Sequence, residues 1–177
     1  MKMITPLKFG LIAGISAIII QVFIYIITPE KVSTSIWMFI VYLPVLFFMI
    51  FGGITYRKEC DGQISFGNSL LSVFIVSLLG IVFVNVFTYE ILMQIIDPNL
   101  FQTIIEHAKE AINELGEKQG LSDEMIQKNI KGVEMLTIKM LRNIAWGISG
   151  FFTIFLSLLV ALFVKRSEQQ IPIKFES

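Results

Sequence analysis

The sequence of 177 residues is poor in the side chains that most often carry chemistry. It contains one cysteine, Cys60, and one histidine, His107. A single cysteine excludes an internal disulfide, and these two residues cannot assemble a metal cluster between them. Sequence motifs for zinc peptidases, dithiol redox sites, dinucleotide binding and nucleotide triphosphate binding are also missing. We therefore expect no enzymatic activity, no cofactor and no metal.

Charged residues are scarce, and the chain has no net charge. Only 16% of its residues are charged, and 14 Lys and Arg balance 14 Asp and Glu. Nucleic-acid binding needs a basic face that neutralises phosphates, so we expect no nucleic acid as a partner. Hydrophobic residues make up 55% of the chain. A soluble domain of this size has too little interior to bury them, which favours a membrane protein whose main partner is the lipid bilayer.

Four long apolar runs have the length of membrane spans. A helix rises 1.5 Å per residue, so about 20 residues cross a hydrocarbon core of roughly 30 Å. The runs lack the alternation of membrane strands, which predicts helices. The predicted spans cover residues 9–27, 36–56, 66–89 with an apolar tail to 96, and 143–164. The sequence thus predicts one integral membrane domain over residues 1–177.

The connection between the third and fourth spans, residues 97–142, is long and polar, and we call it the arm. Apolar residues recur in it at steps of three and four, which indicates two amphipathic helices broken near Gly116 and Gly120. Ser122 has the type and position of an N-cap for the second helix. The predicted fold class is all-α, with four transmembrane helices and an extramembrane amphipathic helical hairpin between the third and fourth. No proline follows the second arm helix. The interpretation that this helix continues into the fourth span therefore stays open.

Basic residues are distributed unevenly among the termini and short loops. The loop between the first and second spans holds only Lys31. The termini and the loop between the second and third spans hold Lys2, Lys8, Arg57, Lys58, Lys165, Arg166 and Lys174. Cytoplasmic segments are rich in Lys and Arg. We therefore expect both termini to be cytoplasmic and the arm to lie on the opposite side of the membrane.

Small residues indicate how the spans pack. Small residues let helix backbones approach closely, and their hydroxyls can bond across the contact. In the first span Gly10 and Gly14 stand four residues apart. In the fourth span a row of small residues repeats at four-residue steps: Ala145, Ser149, Thr153, Ser157 and Ala161. Two interpretations stay open, namely packing within one chain and a seam with a second copy or another membrane protein.

Polar residues inside predicted spans are the usual indicators of a transport pathway. Gln21, Asn85 and Glu90 all lie toward the arm side of their spans. They can converge on one polar cluster, or each can bond a neighbouring helix or water at the membrane surface. No charged residue lies at the centre of a span, which argues against an ion-coupled transporter.

The turn between the second and third spans has a structural explanation in its own residues. Arg57 and Lys58 can bind lipid phosphates, and Gly62 permits a tight turn. Ser65 can cap the third helix, and Phe66 then enters the bilayer. The other interpretation is that this turn docks a cytoplasmic partner.

Several of these features resemble a known family, the domain of unknown function 4199 family. They are Arg57, the stretch Gly62-Gln63-Ile64-Ser65-Phe66-Gly67, the exit Ile96-Asp97-Pro98, and four spans with one long connection before the last. The resemblance covers nearly the whole chain. It implies a small inner-membrane protein of Gram-negative bacteria with no established activity, and it supplies no catalytic or binding residues.

Two functions from different classes follow from the sequence. The favoured hypothesis is a non-enzymatic scaffold or accessory subunit of the inner membrane, which presents the arm to a periplasmic partner or to a second copy. The alternative is a small transporter or channel subunit, whose outer mouth is formed by Gln21, Asn85 and Glu90.

Overall fold

The computed structural model describes residues 3–32 and 35–165, with residues 35 and 36 described by their backbone alone. Lys2, Arg166 and Lys174, which contribute to the predicted orientation, lie outside the described residues. The described part of the chain forms six α-helices and no strand. The helices are α1 (Ile4–Ile27), α2 (Ser35–Glu59), α3 (Phe66–Val86), α4 (Leu100–Lys118), α5 (Asp123–Glu134) and α6 (Ile138–Val164).

Four helical stretches are long and apolar enough to span a membrane. They are Ile4–Ile27, Trp37–Glu59, Phe66–Ile96 and Ile138–Val164. The all-helical class and the four long apolar helices are as predicted. The helices extend past the apolar runs because flanking polar residues such as Thr5 and Lys58 continue the helical backbone.

The third stretch is the centre of the bundle. α3 packs against α1, α2 and α6, and α1 also packs against α2. Glycines make the closest approaches possible. A Cβ added to Gly14 would lie 2.7 Å from the Cβ of Phe83, and one added to Gly53 would lie 2.8 Å from a methyl group of Val164. The helices can therefore pack as closely as observed only because these contact positions are glycines without a side chain.

The third stretch changes its winding partway along. After Val86 the chain continues as a π-helical segment, Phe87–Ile96. π-Helical turns are rare and occur often at functional sites. The sequence showed only that apolar character fades here, because hydrophobic periodicity over ten residues does not separate α from π winding.

The two arm helices pack against each other. Gly116 of α4 touches Ile126 of α5 so closely that an added Cβ would lie 2.6 Å from its side chain. Lys109 Nζ lies 3.0 Å from Glu134 Oε1, which adds an ion pair between the two helices. Gly120, with φ of 67°, ends α4. The amide of Leu121 donates to the carbonyl of Gly116 at 3.0 Å, which completes a left-handed C-terminal cap.

The base of the arm also contacts the bundle. α4 packs on the 3₁₀ turn Pro29–Lys31, which connects α1 to α2. Leu100 and Ile104 are buried and belong to the same apolar core as the four long helices. The arm is therefore continuous with the bundle through a packed apolar contact.

The fourth long helix does not continue from the arm. α5 ends at Glu134 and α6 begins at Ile138, so the interpretation of one continuous helix does not hold. Thr137 is the N-cap of α6, and its Oγ1 accepts a hydrogen bond from the Met140 amide at 3.2 Å. Threonine favours caps over helix interiors because its hydroxyl competes for backbone amides, and this explains the break.

Candidate functional site

The small residues of α6 are all buried inside the chain. Ala145, Ser149, Thr153, Ser157 and Ala161 each have only a few per cent of their surface exposed. Ser69 of α3 donates to the carbonyl of Ala161 at 3.1 Å, and the hydroxyls of Tyr42 and Ser149 are 3.0 Å apart. Gly10 and Gly14 are likewise buried, against Leu79 and Phe83 of α3. The single chain thus covers both small-residue surfaces with its own helices.

No hydrogen bond joins the three polar residues Gln21, Asn85 and Glu90 to one another. Glu90 lies in the π-helical segment, and its Oε1 accepts from Arg142 Nη1 of α6 at 2.7 Å. Its other oxygen accepts from Gln94 Nε2 at 2.6 Å. Both charged side chains are only partly exposed, and the ion pair connects the third and fourth long helical stretches.

The two carboxamides of the predicted cluster have a different environment. Gln21 and Asn85 are fully buried, and neither has a hydrogen-bond partner among the described residues. Buried polar groups are almost always bonded to protein or to ordered water. The two amides are therefore buried polar groups of α1 and α3 that the described part of the chain does not satisfy.

A second polar contact lies at the base of the arm. The Tyr25 hydroxyl donates to Asp97 Oδ2 at 3.1 Å, which links α1 to the residue that ends the π-helical segment. We call Tyr25, Glu90, Gln94, Asp97 and Arg142 the arm root. Sequence spacing did not identify Arg142 because it is 52 residues from Glu90. The sequence feature that could have indicated this pair is that Glu90 and Arg142 carry opposite charges at neighbouring ends of the third and fourth apolar runs.

The turn between α2 and α3 lies at the opposite end of the bundle and contacts α6. Asp61 and Gly62 have φ of 58° and 79°, a conformation that glycine adopts readily. Ser65 is the N-cap of α3, and its hydroxyl accepts from the Asn68 amide at 3.4 Å. Arg57 Nη1 donates to the carbonyl of Val164 at 3.1 Å, so it caps the C-terminal end of α6.

Two further contacts hold this end. Lys165 Nζ lies 5.8 Å from the centre of the Phe66 ring, within the range of a cation–π interaction. Thr5 Oγ1 donates to the carboxylate of Glu59, at 2.7 and 2.8 Å from its two oxygens. Lys58 is exposed beside this contact. The turn therefore has a structural role between α1, α2, α3 and α6.

A cleft of about 370 Å³ lies between α2, α3 and α6. We call it the lateral cleft. Its lining is apolar except for four hydroxyl groups. The lining residues are Met38, Phe39, Tyr42, Val45, Leu46, Met49, Ser77, Ile81, Tyr89, Leu141, Ile144, Ala145, Ile148, Ser149, Phe152 and Leu156. None of Gln21, Asn85 and Glu90 lines it.

The hydroxyls of the lateral cleft differ in their bonding. Tyr42 and Ser149 bond to each other across α2 and α6. Ser77 is 1% exposed, and its hydroxyl has no partner among the described residues. No sequence pattern singles out Ser77, because a local pattern does not indicate which helix faces enclose a cavity.

The described residues hold no cluster of metal-binding side chains. Within residues 3–32 and 35–165, no group of three or more His, Cys, Asp and Glu side chains could hold a metal ion. The carboxylates of Glu90 and Asp97 accept hydrogen bonds from Arg142, Gln94 and Tyr25. The arrangement can hold helices together and can enclose an apolar ligand.

Comparisons with known proteins give one match. A family described as "Protein of unknown function (DUF4199)" matches residues 8–166. No curated protein and no solved structure matches the chain. The matched region includes α2, α3, α6 and both arm helices completely, and α1 from residue 8 onward. The chain therefore belongs to the DUF4199 family.

Proposed function

We propose that this chain is a non-enzymatic scaffold or accessory subunit of the bacterial inner membrane. Its four long helices cross the bilayer, both termini are cytoplasmic, and the arm is an extramembrane helical hairpin in the periplasm. Large apolar side chains cover the outside of the long helices, among them Phe163 at 82% exposed and Ile27 at 72%. Such a surface favours lipid as its surroundings.

The fixed position of the arm carries this proposal. Leu100 and Ile104 pack into the bundle core, and the arm root adds the Glu90–Arg142 pair and the Tyr25–Asp97 bond. A tether without function would not need packed and charged contacts at its base. A fixed polar element that projects from a membrane bundle is suited to position a partner.

The surface that the arm offers is its tip and its charged faces. The apolar faces of α4 and α5 are already used, because Ile105, Ile126 and Ile130 are buried. Leu115 and Met125 remain exposed beside the turn between the two helices, each at 56%. Exposed apolar residues within a charged surface are typical of the centre of a protein interface. We therefore place the contact with a partner protein, or with a second copy, at the tip.

Co-purification of variants tests this assignment. The double variant Leu115→Lys/Met125→Lys changes two exposed side chains and leaves the α4–α5 contact intact. We expect it to lose the partner, or the dimer, that the wild-type protein retains after mild extraction and cross-linking. Mass spectrometry and analytical size exclusion measure the loss.

A control is Met135→Lys, which places one lysine at the opposite end of α5 from the tip, where Met135 is 74% exposed. It should retain the partner. If the tip variant and a chain in which a Gly-Ser linker replaces residues 100–134 both keep every interaction of the wild type, the scaffold role is wrong.

The alternative function, a small transporter or channel subunit, has one observation in its favour. Gln21 and Asn85 are buried and unsatisfied, and water would be the simplest partner for their amides. Neither amide lines the lateral cleft, and Glu90 is held by Arg142. The variant Gln21→Leu/Asn85→Leu should therefore leave solute flux in reconstituted vesicles unchanged. A loss of flux would favour the transporter instead.

A further inference from the structure

The arm has two outer edges that the contact between its helices leaves free. Gly116 of α4 packs against Ile126 of α5. Two residues along an α-helix turn it by about 200°, so the residues two positions before and after a contact point away from it. These residues are Glu114 and Lys118 on α4, which we call the α4 edge, and Glu124 and Lys128 on α5, which we call the α5 edge.

The charged side chains of both edges are available to a neighbour. Glu114 and Lys118 are each 73% exposed, and they lie 3.6 Å apart on the same helix. Glu124 and Lys128 are exposed as well, and neither forms an ion pair with another described residue. An exposed edge that carries charges of both signs is suited to a surface with the reverse pattern.

The antiparallel packing of the hairpin places opposite charges at the same level on its two edges. Counted from the contact between the helices, Glu114 of α4 lies level with Lys128 of α5. Lys118 likewise lies level with Glu124, nearer the tip. The two edges of one arm are therefore complementary to each other, although they face in opposite directions and cannot meet within one chain.

The pattern continues one turn closer to the base of the arm. Glu110 is 78% exposed and stands four residues before Glu114 on α4. Lys131 is exposed on α5, within about one residue of the same level. The ion pair between Lys109 and Glu134 shows that the two helices keep their register this far. A third pair of opposite charges thus stands level on the outer sides of the arm.

A second copy of the chain fits this pattern. Copies inserted in one membrane share an orientation, so the α4 edge of one arm can lie beside the α5 edge of the next at the same level. Glu114 then faces Lys128 of the second copy, and Lys118 faces Glu124 of the second copy. Both contacts join opposite charges.

Other arrangements of two arms bring like charges together. Two α4 edges side by side would place Glu114 against Glu114, and two α5 edges would place Lys128 against Lys128. A shift of one helical turn between an α4 edge and an α5 edge would place Glu114 against Glu124. Like charges that face each other across an interface disfavour that arrangement, so the pattern selects one pairing and one register.

We propose that copies of this chain associate side by side through their arms, with the α4 edge of one copy against the α5 edge of the next. Such a head-to-tail interface forms a ring or a row of copies. Each exposed ion pair changes an association constant by about fivefold or less, so the association is reversible and sensitive to salt. The proposal rests on the membrane orientation proposed above, and it leaves the tip to a partner protein.

Charge reversal tests the interface. Chains labelled with a donor or an acceptor dye at Cys60 are reconstituted together in vesicles of phosphatidylethanolamine and phosphatidylglycerol, and energy transfer measures their association. The variants Glu114→Lys/Lys118→Glu and Glu124→Lys/Lys128→Glu each reverse one edge and keep the net charge. Each should lower the association constant at least about fivefold, because two attractive pairs become like-charge contacts. Unchanged association in both variants would overturn the proposal.

The variant that reverses both edges separates pairing from misfolding. It carries all four substitutions and restores opposite charges at every contact, so it should associate within about twofold of the wild type. A folding defect would instead add up in this variant. Failure of the four substitutions to restore association would contradict the proposed pairing.

One further variant and the salt concentration serve as controls. Lys109→Glu/Glu134→Lys reverses an ion pair inside the hairpin and should associate like the wild type. Raising the salt concentration from about 50 mM to about 500 mM should weaken association of the wild type, because salt screens exposed charges. Copies that associate in native membranes but not in these vesicles would show that another protein joins them, which would overturn direct pairing.

Two readouts distinguish this proposal from the proposed function. Flotation of the vesicles shows first whether the chain has inserted, which tests the membrane location alone. The tip variant Leu115→Lys/Met125→Lys should keep energy transfer between copies while it loses the partner protein. Loss of transfer in the tip variant, with transfer retained after edge reversal, would place the contact between copies at the tip and overturn the assignment to the edges.

Discussion

At the scale of single residues, the absence of side chains shapes the bundle as much as their presence. Gly10 and Gly14 let α1 lie against α3, and Gly53 and Gly80 serve the same purpose between other helices. In lipid, helix association depends on close van der Waals packing rather than on burial from water. At the glycines in these contacts, the addition of a single methyl group should therefore reduce stability more than it would elsewhere in the helices.

Gly14→Ala tests this expectation. The new Cβ would meet the Cβ of Phe83, which is close to the backbone and cannot move aside. Overpacking of this kind costs roughly 1–3 kcal/mol, so the thermal midpoint of the monodisperse protein in detergent should fall. Gly150→Ala is the matched control, because nothing lies within 4 Å of Gly150. If both variants have the same thermal midpoint, the close α1–α3 contact at Gly14 does not limit the stability of the protein.

At the scale of elements, the arm depends on a single turn. Gly120 has a positive φ and lies where α4 ends, so a β-branched residue would be strained there. Gly120→Val should destabilise the α4–α5 contact by about 1–2 kcal/mol and speed hydrogen exchange in both arm helices, while exchange in α3 stays unchanged. Gly132→Ala, on an open face of α5, should slow exchange slightly. Unchanged exchange after Gly120→Val would show that another contact sets the turn.

The elements also show what sequence patterns can and cannot predict. Runs of about 20 apolar residues predicted the four long helices, because length and composition alone decide that question. The period of apolar residues predicted the two arm helices. The π-helical segment and the Glu90–Arg142 pair were missed, since both depend on contacts between residues far apart in the chain. The lateral cleft was missed for the same reason.

At the scale of the whole molecule, the sole thiol offers a test of the proposed topology. Cys60 is partly exposed in the turn between α2 and α3, at the end of the bundle opposite the arm. A membrane-impermeant maleimide should label it only after bacterial spheroplasts are permeabilised. The variant Cys60→Ser/Gln127→Cys moves the thiol to an exposed position on α5 and should be labelled in intact spheroplasts. The reverse pattern would invert the proposed orientation.

The charged groups at the two ends of α6 have a consequence for the thickness of the membrane in which we propose that the chain lies. Arg142 is held by Glu90 at one end, and Lys165 lies over Phe66 at the other. The helix between them rises roughly 34 Å at 1.5 Å per residue. Since a hydrocarbon core is about 30 Å thick, the molecule suits an average bilayer with little tilt. A markedly thinner bilayer would force the whole bundle to lean, and the arm would lean with it.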